Sequence, residues 1–143
     1  MKPRRKPVKV RRRRLEFADA FARVLEKKRT AKKLSRQALA EKAGVHQTYV
    51  GMIERGLSNP SLNAAHAIAK ALQVPFSRLV AQAESLRERV QAVETALHGM
   101  GTPTTPAEIA KQFKRAKPAA VLEILQTLVT LGRARKQGGQ FTR

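Results

Sequence analysis

The chain has no cysteine and no tryptophan, one tyrosine, one aspartate and few acidic residues of any kind. Each absence removes something. Without cysteine there is no disulfide framework and no thiolate metal site. Aromatics make up 4% of the residues, so burial must rest on Leu, Val, Ile and Ala. Asp19 is the one aspartate, and His46, His66 and His98 stand at no ligand spacing. No metal site, paired-carboxylate constellation or phosphate-binding loop can be assembled, so neither an enzyme nor a cofactor is expected. No run reaches the ~18 apolar residues of a membrane span. The basic start lacks the apolar segment of a signal peptide, because Arg11 to Arg14 lead straight into an amphipathic pattern. These gaps predict a soluble cytoplasmic protein with no membrane partner.

What the chain does have is positive charge. Thirty Lys and Arg face ten Asp and Glu over 143 residues, a net +20. A solubilising surface excess on a small domain amounts to about 2–8. The excess is spread over every part: +9 in residues 1–14, +5 in 15–100 and +6 in 101–143. Such a chain repels itself unless it sits beside a polyanion, and nucleic acid is the usual one. The predicted place of work is therefore the nucleoid.

Residues 1–14, MKPRRKPVKVRRRR, form a Pro-punctuated basic arm with no core-forming pattern, predicted to be disordered. A first helix is predicted from about Leu15 to Lys32, with Phe17, Phe21, Val24 and Leu25 at helical spacing. Ser35 is placed to cap a second helix, which Gly44 ends; a third runs from about Gln47 to Arg55 and stops at Gly56 and Asn59-Pro60. Ser61 caps a fourth, with Leu62, Ala65, Ile68, Ala69 and Leu72 on its inner face. A fifth starts near Pro75. Its apolar residues Phe76, Leu79, Ala83, Leu86, Val90, Val93 and Leu97 follow a 3-4 spacing over about three heptads. That seam fits a coiled coil between chains or a long helix packed on its own domains, and the pattern leaves both open.

After Pro103, the run Thr105-Pro106-Ala107-Glu108 fits a capping box. Ile109, Ala110 and Phe113 supply the buried side of that short helix. Lys114 to Lys117 make a basic turn, and Pro118 opens an apolar helix that Gly132 closes. The tail reads as two strands about Gly138-Gly139. Helix, turn, helix and hairpin are the layout of a small winged helix, whose Arg133, Arg135, Lys136 and Arg143 would suit phosphates. A second DNA contact and a dimerisation or docking role both fit this half.

The run from Leu34 to Gly56, LSRQALAEKAGVHQTYVGMIERG, carries the most information. Leu39, Ala40, Ala43, Val45, Val50 and Ile53 are placed to face inward where two short helices cross. The second of these helices would show Gln47, Thr48, Gly51 and Met52 outward, with Gly51 leaving a gap. Gln can bond adenine bidentately, Thr can reach a base or a thymine methyl, and Met offers apolar contact.

With its L-S-x-x-x-L-A start, Gly44-Val45 turn, I-E-R-G at Ile53 to Gly56 and Asn59-Pro60-Ser61-Leu62, the chain resembles the lambda repressor/Cro-like (XRE-type) helix-turn-helix family over about Phe21 to Leu79. HQTYVGMIERG also looks like the recognition helix of restriction-modification controller proteins, a branch of that family. The resemblance implies a transcriptional regulator, a repressor that binds double-stranded DNA as a homodimer. It implies base contacts from Gln47, Thr48 and Met52, and backbone contacts from Arg36, Gln37, His46, Tyr49, Arg55 and Asn59. Arg11, Arg12, Arg13 and Arg14 of the arm and Arg133, Arg135 and Lys136 of the wing are added as further contacts. Arg36 stands where the family usually has Gln. The alternatives are an antitoxin with a toxin partner, or an architectural protein that coats or bridges DNA.

The expected architecture is all-α with a short β-hairpin. It comprises the arm (1–14), a five-helix helix-turn-helix domain (15–82), a linking helix or coiled coil (83–100) and a winged-helix-like domain (101–143).

Overall fold

The computed structural model describes residues 16–143. The arm, with Arg11 to Arg14, lies outside the described residues. These residues form helices α1 (Phe17–Ala31), α2 (Arg36–Ala43), α3 (Gln47–Glu54), α4 (Leu62–Ala71), α5 (Phe76–Met100), α6 (Pro106–Ala110) and α7 (Pro118–Thr130), then strands β1 (Arg135–Gln137) and β2 (Gln140–Thr142). They divide into two compact units that meet within α5, between residues 88 and 89. None of the described helices is long and apolar enough to cross a membrane.

In the first unit, Ala22 and Leu25 of α1, Leu39 and Ala40 of α2, Val50 and Ile53 of α3, and Ile68 and Leu72 of α4 close one apolar core. Local chemistry sets the helix ends. Ser35 Oγ accepts the Ala38 N–H at 3.0 Å, and Ser61 Oγ accepts that of Ala64 at 3.1 Å. Each satisfies a donor that the first turn leaves unpaired. Gly44 ends α2 at φ +68°, a left-handed conformation that strains any residue with a Cβ.

Two sequence expectations change here. Leu62 is 77% exposed rather than part of the inner face. It is the first residue of α4, and a side chain there leans off the helix end, away from the stretch that meets the core. The heptad seam is not a free surface. Ala83 and Leu79 are fully buried in the single chain, as is Val90 at 1% exposure, and Val93 and Leu97 are nearly so. The chain itself covers these five positions, and Phe76 and Leu86 of the same stripe are half-buried. A helix packed on one side shows the same spacing.

The second unit combines the end of α5 with α6, α7 and the hairpin. Thr105 and Glu108 close the expected capping box: the Thr105 N–H donates to Glu108 Oε2 at 2.6 Å and the Glu108 N–H to Thr105 Oγ1 at 3.3 Å. The Thr105 N–H, then the hydroxyls of Thr105 and Thr104, hold the Glu108 carboxyl below the usual carboxylate range. Its support for the fold is complete above the unfolded-state pKa and is lost as pH falls through the folded-state value. In the antiparallel hairpin Arg135 pairs with Thr142 and Gln137 with Gln140. Gly138 and Gly139 both take positive φ, 55° and 85°, as a two-residue turn that matches strand twist requires. The sequence reading did not include a third, one-residue strand: Thr104 exchanges both backbone hydrogen bonds with Phe141, at 3.0 and 2.7 Å. Phe141 is thereby held from both sides and is fully buried.

Candidate nucleic-acid interface

The exposed side of α3 is built from its buried side outward. Glu54, the last residue of α3, falls four positions after Val50 and so on the inward stripe. Its carboxylate is 1% exposed. An anion so placed needs cations. Arg29 of α1 supplies a two-pronged partner, donating from Nε at 2.6 Å and from a terminal nitrogen at 3.1 Å. Its other terminal nitrogen donates to the Leu34 carbonyl at 2.7 Å. Arg36 of α2 donates from Nε to the second carboxylate oxygen at 2.6 Å. That bond and the Glu54 charge raise the Arg36 pKa further. One carboxylate thus ties α1, α2 and α3 together and fixes how α3 is rolled about its axis. Sequence reasoning missed Arg29 and Glu54, although an acid on an apolar stripe was the signal to follow.

Two cationic arms then roof Gly51. A Cβ built there would lie 3.7 Å from an Arg55 terminal nitrogen and 3.8 Å from the Arg36 Cδ. Arg55 Nε also donates to the Gly51 carbonyl at 3.0 Å. Gly51 is buried. It leaves no gap in the reading face, because the arginines fill the space. Both distances are ordinary contact and the backbone is unstrained, so Gly51→Ala should fit. It is expected to raise stability by about 0.5–1 kcal/mol, visible as a higher midpoint in thermal unfolding.

What stays open is the first turn of α3. Gln47 and Thr48 are exposed, and Met52 is half-buried. His46 caps the helix, its Nδ1 accepting the Thr48 N–H at 3.2 Å, a role the sequence reading did not assign. Tyr49 is half-buried and packs against the core. Gln37 is exposed and donates to Glu41 Oε1 at 3.0 Å, and Asn59 is exposed in the loop after α3. His66 lies on the exposed side of α4, with its ring edge-on to Phe76 at 6.1 Å. In the second unit Arg135 and Lys136 are exposed on β1, with the Lys136 ammonium 5.9 Å from the centre of the Phe141 ring. Arg133 is not on the wing. It precedes β1 and is ion-paired with Glu94 of α5.

The helix-turn-helix family model matches residues 25–79. The control protein C.SmaI of Serratia marcescens is 32% identical over 66 residues, 46% of this chain and 79% of that protein. The immunity repressor protein of Bacillus phage phi105 is 38% identical over 60 residues, and the match spans 42% of each chain. The crystal structure of the clp gene regulator ClgR from Corynebacterium glutamicum superposes with a TM-score of 0.55 at 22% identity, covering 58% of this chain and 88% of that one, which speaks for the fold. Taken with the crossed α2 and α3, the left-handed Gly44 turn and the I-E-R-G end of the reading helix, these similarities show that the chain belongs to the lambda repressor/Cro-like (XRE-type) helix-turn-helix family.

Proposed function

We propose that the chain is a sequence-specific regulator of transcription that binds double-stranded DNA, acts as a repressor and works as a homodimer at the nucleoid. The observation that carries this reading is the first turn of α3, where Gln47 and Thr48 are exposed on a helix whose buried side is fixed by Glu54. A helix held in this way can enter a major groove without reorganising. Gln47 and Thr48 would read bases, with apolar contact from Met52. Arg55, the free edge of Arg36, Gln37, His46, Tyr49 and Asn59 would lie toward the backbone. Residues 15–82 would be the reading domain, 83–100 the link and 101–143 a winged-helix-like domain. The arm, Arg135 and Lys136 would add phosphate contacts that raise affinity at every sequence. Two copies would read half-sites roughly 34 Å apart.

Binding to genomic fragments across a salt series is the test. A regulator retains a few sites at least ~10³-fold above background. Uniform, steeply salt-dependent affinity would instead establish a DNA-coating protein, the reading favoured by the +20 charge alone. At a retained site Gln47→Ala should lose about 1–3 kcal/mol of discrimination at one base pair and leave non-specific binding unchanged.

A further inference from the structure

The second unit contains a hollow of about 440 Å³ between α5, the α6–α7 turn and α7. That volume lies within the ~300–1,000 Å³ of small-molecule sites. Its floor is carbon: Val93, Phe113, Val121 and Ile124. Ala116 and Ala120 have short side chains and leave the space open. Arg89, Lys114, Arg115 and Lys117 stand around the rim, all exposed. Among the described residues none of these four is held in an ion pair. Arg115 is kept at φ +63°, a left-handed conformation unfavourable for a residue with a Cβ.

We propose that this hollow binds a small amphipathic anion, a molecule with one carboxylate or similar acidic head on an apolar body. The apolar part would cover the floor, and the head would meet the rim cations in charge-assisted hydrogen bonds. A nucleic-acid backbone would engage the same cations but leave the floor idle. The outward stripe of α7 also argues against it, since Ala119, Gln126 and Thr130 bring no cation. The cations converge on one hollow instead of following a line. This site does not depend on the reading of α3, and its test measures ligand binding alone.

The experiment uses the full chain with isotope-labelled isoleucine and valine methyl groups, titrated with decanoate and followed by NMR. The Ile124 and Val121 signals are expected to shift and saturate. Decanol should bind about tenfold more weakly, the change expected when a charge-assisted hydrogen bond is lost. Arg115→Gly with Lys117→Ala should weaken decanoate to a similar degree without altering the ligand-free spectrum, since glycine accepts the left-handed conformation. Ala120→Leu, which puts a branched side chain into the hollow and keeps every rim charge, should weaken decanoate binding. Methyl signals indifferent to decanoate, or equal binding of decanol, would overturn the proposal. So would unchanged binding by Ala120→Leu. A short random-sequence duplex that moves these signals where decanoate does not would assign the cations to nucleic acid and overturn it as well.

Discussion

Glu54→Ala is expected to destabilise the first unit by about 3–5 kcal/mol, the cost of removing one partner of a buried ion pair. The side chain removed is 1% exposed, and the Arg29 side chain left behind is 10% exposed, with only the Leu34 carbonyl still in place. Arg36 is in a different position. Its side chain is 44% exposed and can turn to water when the carboxylate goes. Arg36→Ala should therefore cost less than Glu54→Ala, about 1–3 kcal/mol for one charge-assisted bond lost from a buried carboxylate that keeps both bonds from Arg29. The loss belongs to Arg29. Replacing both buried charges, Arg29→Met with Glu54→Leu, should recover most of the stability, because no unpaired ion then remains. Urea unfolding followed by circular dichroism checks all three. A Glu54→Ala chain as stable as the parent would show that the buried network contributes nothing to the fold.

Phe141→Ala has an effect of similar size in the second unit, about 3–5 kcal/mol for deleting a fully buried ring. Phe141 is 0% exposed, and its backbone exchanges two hydrogen bonds with Thr104. Losing the ring opens a cavity under the hairpin and removes what holds β2 against the chain before α6. Hydrogen exchange gives a local readout: the Thr104 amide, which donates to the Phe141 carbonyl at 3.0 Å, should exchange far faster in the variant. Unchanged protection there would mean that the ring does not anchor the hairpin.

Much of this architecture can be read from residues whose chemistry acts locally. Ser35, Ser61 and Thr105 cap helices because a hydroxyl or carboxylate finds a free N–H within three residues. Gly138-Gly139 turns a hairpin because both positions need positive φ. Helix periodicity likewise places Leu39, Val50 and Ile53 inside. The parts that escape depend on partners distant in the chain. A one-residue strand at Thr104 has no period to detect. Glu54 and Arg29 are 25 residues apart, and only the folded chain shows that they meet. Arg133 and Glu94 are matched in the same way, so a basic residue beside the hairpin proves to be paired within the chain. The heptad stripe of α5 was ambiguous for a different reason. Spacing reveals that a face is covered and does not reveal by what.

The placement of Glu54 opposite the exposed turn of α3 has an evolutionary consequence. Gln47 and Thr48 are exposed on the outside of the helix, and the groups that hold the helix lie on its other side. Exchange of the two outward residues therefore leaves the clamp intact. If they read bases as proposed, a lineage carrying this scaffold would change which DNA it prefers in single steps, with no folding defect to repair on the way. A library randomised at these two positions should consist mostly of folded proteins that differ in their choice of site.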